Sequence, residues 1–224
     1  MSNLQKRILT SIVIFPLSIF FVFQGGYLLA SFLLVIFFIA NYELFTVFNK
    51  RSTILILDLI LILALFSIYN LSKHFYFYIL LWVIILSICS DIGGYTFGKV
   101  FKWKRFTKIS PKKTISGVLG SFLFSLLSVF IIHIIAVNSD YEYLNIPIND
   151  LINFLDPSYF FLAIIFSLVA QAGDLTISYF KRLEKIKDTG KILPGHGGIF
   201  DRIDGLMFVV ILTFILVKFN LLWP

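Results

Sequence analysis

The sequence predicts an all-α, polytopic membrane protein of about seven transmembrane helices with its N-terminus in the cytoplasm. Three observations predict it. Of 224 residues, 59% are hydrophobic and only 14% charged, against about 25% charged in soluble chains. The apolar residues gather into seven runs that approach or reach the about 20 residues a spanning helix needs. The basic residues then fall almost entirely into alternate connections between those runs. Mean hydropathy is +0.95, and Phe alone supplies 27 residues. A soluble core of this size cannot hide so much apolar surface. A soluble globular domain, a disordered chain and a secreted disulfide scaffold are therefore excluded. The single cysteine, Cys89, cannot form an internal disulfide.

In chain order, the predicted spans are Ile8–Phe23, Tyr27–Phe48, Ile54–Tyr69, Phe75–Phe97, Val118–Val137, Tyr159–Phe180 and Gly205–Trp223. Gly25-Gly26 reads as a tight turn between the first two. Ile8–Phe23 follows Lys6-Arg7 in the manner of a signal peptide, but no small-residue cleavage site follows and further spans come at once, so it reads as a retained helix. When the connections are assigned to alternate sides, 17 of the 19 Lys and Arg fall on one side, with only Lys73 and Lys218 on the other. The connection Asn138–Ser158 carries Asp140, Glu142, Asp150 and Asp156 and no basic residue. By the positive-inside rule the basic side is cytoplasmic, which places the C-terminus outside. His74, Trp82 and Trp223 suit the membrane interface, Glu43 and Asp58 read as helix-end carboxylates that snorkel to water, and His133 reads as a packed helix residue.

Two cytoplasmic segments, Ser90–Gly117 and Gly173–Asp204, are too rich in polar detail to be connectors alone. An Asp within a span costs about 2.5–3.5 kcal/mol on insertion scales, so Asp174 and Asp91 are expected to face a polar interior or a helix end. Gly195-His196-Gly197-Gly198 precedes Asp201, Arg202 and Asp204. Three glycines in four residues permit close backbone approach and let several N–H groups converge on an anion. Asp201 and Asp204 share a face if a helix begins there, and hard cations such as Mg²⁺ take carboxylate oxygens while leaving positions for phosphate. Ser110-Pro111-Lys112-Lys113-Thr114 offers two lysines and two hydroxyls just before a span. That suits a phosphate, and it also suits ordinary positive flanking charge. His196 could meet phosphate or make a structural hydrogen bond. An ion- or proton-coupled transporter remains the alternative for seven spans with intramembrane Asp.

Residues 178–204, from Ser178-Tyr179-Phe180-Lys181-Arg182 through Lys187-Asp188-Thr189-Gly190 to Leu193-Pro194-Gly195-His196-Gly197-Gly198-Ile199-Phe200-Asp201-Arg202-Ile203-Asp204, resemble the signature of phosphatidate cytidylyltransferases, also called CDP-diglyceride synthases. Ser90-Asp91 with Tyr95 and Gly98, Ser110–Thr114 with Gly117, and Gly173-Asp174-Leu175 with Ser178 resemble the same family. Ile115-Ser116 stand where that family usually has Trp-Glu, and Ile177 where it usually has Glu.

The resemblance implies cytidylyl transfer from CTP to phosphatidate, and residues 1–72 as N-terminal helices ahead of a catalytic region at 73–224 with cytoplasmic loops 98–117 and 181–204. Asp174 and Asp201 are the implied ligands of Mg²⁺, with Asp204 as further ligand or support and K⁺ as a second cation. Lys113 joins the three aspartates as a catalytic candidate. Ser110, Lys112, Lys113, Thr114, Asp91, Lys181, Arg182, His196, Gly197, Gly198 and Arg202 are the candidates to bind substrate. The implied partners are CTP, phosphatidate and membrane lipids, without nucleic acid, and the implied assembly is a homodimer. The implied location is the inner (cytoplasmic) cell membrane, with the active site facing the cytoplasm.

Overall fold

The computed structural model describes residues 16–72, 76–107, 109–138, 154–190, 192 and 197–221. Residues 16–24 are helical (α1). They are followed by α2 Gly26–Val47, α3 Arg51–Leu71, α4 Phe77–Phe101, α5 Ile115–Asn138, α6 Pro157–Leu183 and α7 Phe200–Lys218. Apart from isolated bridge residues, among them the pair Arg105 and Thr114, the regular structure among the described residues is helical. Helices α2 to α6 are long and apolar enough to cross a membrane, and the protein is a membrane protein. The start of the first expected span, most of the acidic connection and His196 lie outside the described residues.

Two compact units divide the chain, Met1–Lys73 with Thr176–Pro224 and His74–Leu175. In the second, α4 and α5 approach through glycine. A Cβ on Gly93 would strike the carbonyl oxygen of Gly120, one on Gly120 would strike that of Gly93, and one on Gly94 would lie 2.7 Å from Ser121 Oγ. In a bilayer, where apolar side chains gain nothing by leaving lipid, such small-residue faces let backbones meet and supply the packing that holds helices together. Hydroxyls reinforce the contact. Ser121 Oγ donates to the Ser90 carbonyl at 2.8 Å, and Ser90 and Ser167 share a hydrogen bond of 2.8 Å, joining α5, α4 and α6.

Trp82 is fully buried in this unit. Its Nε1 donates to Ser128 Oγ at 3.1 Å, and its ring meets those of Phe154, Tyr159 and Phe166 at 5.5–5.9 Å. The expected interfacial position is thereby corrected: a partner for the indole N–H inside the unit removes its need for water. Helix α6 opens on Asp156-Pro157-Ser158. Asp156 Oδ1 accepts from the Ser158 N–H at 2.9 Å and from Ser158 Oγ at 2.6 Å. Those bonds lower the Asp156 carboxyl below its usual range, and Pro157 at the first helical position gives up no intrahelical bond.

In the first unit, Gly25 and Gly26 take φ of 59° and 51°, a left-handed turn that glycine adopts without steric cost. Phe21 and Phe32 stack across it with centroids 4.5 Å apart, so α2 folds back on α1. Glu43 does not snorkel. Glu43 is 1% exposed, and Asp58 is half-buried and accepts from Asn41 Nδ2 at 3.1 Å.

Candidate active site

Lys113 and Asp174 are the centre of the polar chemistry in the unit His74–Leu175. After α4 ends at left-handed Lys102, residues 104–106 run beside 113–115. Phe106 N–H donates to the Lys113 carbonyl at 2.8 Å, and Ile115 N–H to that of Lys104 at 3.0 Å. At the tip, Lys113 N–H donates to the Ser110 carbonyl at 3.0 Å, closing a turn with Pro111 in its second position. Thr114 then caps α5, its Oγ1 accepting from Gly117 N–H at 3.1 Å. The turn and the cap together aim the Lys113 side chain at α6. Its Nζ lies 2.6 Å from Asp174 Oδ2 and 3.4 Å from the Gln171 carbonyl.

A cavity of about 270 Å³ opens here. Asp91 and Tyr95 of α4, Ser110, Lys112, Lys113 and Thr114 of the turn, and Gln171 and Asp174 of α6 line it. Its charged walls carry two lysines and two aspartates, which balance. A phosphate alone would leave the cavity negative, whereas a phosphate accompanied by a cation would keep that balance. Lys113 and Asp174 are about a quarter and a third exposed, so both can exchange each other for a ligand without crossing a packed core.

Asp201 organises the other unit. It lies in the first turn of α7, where its Oδ1 accepts from Lys181 Nζ at 2.7 Å. Its Oδ2 accepts from the N–H groups of Thr189 at 2.8 Å and Gly198 at 3.0 Å. The Asp201 and Lys181 side chains are each 9% exposed, so the ion pair is largely buried. Gly197 has φ of 87°, and a Cβ there would lie 2.8 Å from Asp201 Oδ2. Glycine is thus required for both its backbone angle and its closeness to the carboxylate. Asp204 Oδ1 accepts from Gly205 N–H at 2.8 Å. Arg182 and Arg202 are exposed, and the Arg182 guanidinium donates to the Ile186 carbonyl at 2.8 Å.

Ser110, Lys112, Lys113, Thr114, Asp91 and Asp174 line one cavity, and Lys181, Gly198 and Asp201 form a second cluster. Arg182 bonds the carbonyl of Ile186, just past the end of its own helix. Gln171 and Ser121 line the cavity without having been singled out; a glutamine one turn before Asp174 in an apolar helix was the available signal. At the positions where the resembling family has Glu, Ser116 is buried with its Oγ 3.0 Å from Thr114 Oγ1, and Ile177 is fully buried.

The candidate donors are carboxylate oxygens, a ligand type that Mg²⁺ takes, and among the described residues no group of three His, Cys, Asp or Glu converges. Mg²⁺ characteristically takes one or two carboxylates together with substrate phosphates and water, rather than a complete protein cage.

A profile of the cytidylyltransferase family matches residues 51–220. The chain is similar to the phosphatidate cytidylyltransferase of Helicobacter pylori, 35% identical over 163 residues that cover 70% of this chain and 54% of that protein. It is 40% identical over 142 residues to that of Staphylococcus haemolyticus, covering 63% of this chain and 47% of the relative. It is 37% identical over 141 residues to that of Rickettsia conorii, covering 60% and 57%. The chain spans about half the length of these curated relatives. The matched region runs from the start of α3 through α7 and so takes in the Lys113–Asp174 cavity as well as the Asp201 cluster. On that match the chain belongs to the cytidylyltransferase family.

Proposed function

We propose that this protein transfers the cytidylyl group of CTP to phosphatidate, giving CDP-diacylglycerol and pyrophosphate. In this reading seven helices cross the inner cell membrane, the N-terminus is cytoplasmic, the site faces the cytosolic pool of CTP, and the protein works as a homodimer. The observation that carries the reading is the cavity in which Lys112, Lys113, Ser110 and Thr114 stand opposite Asp174.

The chemistry matches the residues. A phosphate oxygen of phosphatidate attacks the α-phosphorus of CTP, and the bond from that phosphorus to the bridging oxygen of the β-phosphate breaks. The nucleophile is already anionic at neutral pH, so no strong general base is needed. Two polyanions must instead be neutralised and aligned. Lys113 and Lys112 bind phosphate oxygens, and the hydroxyls of Ser110 and Thr114 supply further donors at the α5 N-terminus, where anions are favoured. Lys181 and the Thr189 and Gly198 N–H groups hold the Asp201 carboxylate in one orientation. We assign Asp174, Asp201 and Asp204 to Mg²⁺, with K⁺ as a second cation, which when bound supplies charge neutralisation for the leaving pyrophosphate.

The test is the purified protein with phosphatidate vesicles, radiolabelled CTP and Mg²⁺. The expected result is a labelled lipid and equimolar pyrophosphate. Ion or proton flux through proteoliposomes, with no CTP-dependent lipid product, would support the transporter reading instead.

A further inference from the structure

Glu43 is the most costly residue in α2 to leave unexplained. It stands on a helix apolar enough to cross a membrane and is 1% exposed. Its Oε1 is buried with no hydrogen-bond partner among the described residues. Its Oε2 accepts from the Phe200 N–H at 3.4 Å. That N–H belongs to the first residue of α7, whose N-cap residue, Ile199, has no side-chain cap of its own. Exposed helix N-termini usually take their cap from a nearby Ser, Thr, Asp or Asn. Here a carboxyl oxygen 157 residues away supplies it.

Two glycines make room for it. A Cβ on Gly190 would lie 2.5 Å from Glu43 Oε1 and 2.8 Å from its Cδ. A Cβ on Gly198 would lie 2.5 Å from Glu43 Oε2. Neither glycine has the left-handed φ that Gly197 has, so the absent side chain at each provides space. The backbone they flank is the backbone that holds Asp201, because Thr189 and Gly198 donate the two N–H bonds to its Oδ2.

We propose that Glu43 is a positioning residue for Asp201: its carboxylate fills the slot between Gly190 and Gly198, caps α7, and so fixes the two N–H groups that orient the Asp201 carboxylate. The consequence for catalysis rests on the cytidylyltransferase reading above.

A double-mutant cycle between Glu43→Ala and Gly190→Ala tests it, since the nearest atoms to a Cβ at Gly190 all belong to Glu43. Each protein is purified in detergent and read by its melting midpoint and by kcat and KM per folded molecule. Glu43→Ala is expected to lower kcat about tenfold or more while leaving the KM for phosphatidate within about twofold. Glu43→Gln keeps an oxygen for the Phe200 N–H and should recover kcat to within about threefold of the native enzyme. Gly190→Ala should lower the melting midpoint and kcat of the native protein, yet cost less than about twofold more in the Glu43→Ala background. Additive effects of the two substitutions on the midpoint would overturn the slot. Native kcat in a folded Glu43→Ala protein would overturn the positioning role. If the native protein makes no labelled lipid, the functional reading fails, and the midpoint cycle still decides whether Glu43 and Gly190 are coupled.

Discussion

Asp174 and Asp201 each face a lysine, but in different settings. Asp174 is a third exposed beside a cavity, while Asp201 is buried and receives two backbone N–H groups besides. Asn at either position keeps the shape and removes one negative charge. Each change should lower kcat about a thousandfold with folded protein still recovered from membranes. Asp204→Asn should cost less if it only supports the other carboxylates, and Asp188→Asn less again. Turnover near the native value in a folded Asp174→Asn or Asp201→Asn protein would refute the assignment of that residue. Lys113→Ala removes the partner of Asp174 and a phosphate donor together, so its kcat/KM should fall far below that of Lys50→Ala, whose side chain only flanks a helix. Equal losses would reduce the Ser110–Thr114 turn to flanking charge. Lys181→Met leaves a buried carboxylate unpaired, an effect of about 3–5 kcal/mol, and a lowered melting midpoint would register it. Asp174, Lys113 and Thr114 were legible in the sequence because charge in an apolar run and hydroxyls at a helix start carry their own physical meaning. Glu43 was not, because what buries it lies 157 residues further along.

Helices were the easiest level to read. The runs of apolar residues locate α2 to α6 to within a few positions, since a spanning segment needs length and little else. The ends differ where polar residues continue a helix. The last helix starts at Phe200 rather than Gly205 because Asp201, Arg202 and Asp204 occupy its first turns, and hydropathy does not register them. Helix α6 likewise runs past Phe180 to Leu183, carrying Lys181 and Arg182 in its last turn, where cations favour the helix dipole. The glycine face joining α4 to α5 positions the cavity wall that Asp91 and Tyr95 supply. Gly120→Ala should therefore destabilise the protein by about 1–3 kcal/mol through overpacking, whereas Leu119→Ala, at an exposed position, should change little. Thermal melting in detergent compares the two, and equal midpoints would show that α4 and α5 do not rely on that contact.

For the whole chain, the charge pattern makes the orientation prediction and the family match makes the chemical one. With 17 of 19 basic residues on one side, a cysteine placed at Ser110 in a Cys89→Ser background should be shielded from an impermeant label in intact cells. A cysteine at Ser139 should react, and the reverse pattern would invert the topology. The division into two units was not legible, because one of them joins the first 73 residues to those after Leu175 and no local composition marks that return. The central claim is tested most directly by incubating the purified protein with phosphatidate vesicles, Mg²⁺ and CTP labelled in its cytosine. A labelled CDP-lipid is expected, its formation requiring both substrates and falling about a thousandfold in Asp174→Asn. A native, folded protein that forms no labelled lipid, or an Asp174→Asn protein that forms it at the native rate, would refute cytidylyl transfer at this site.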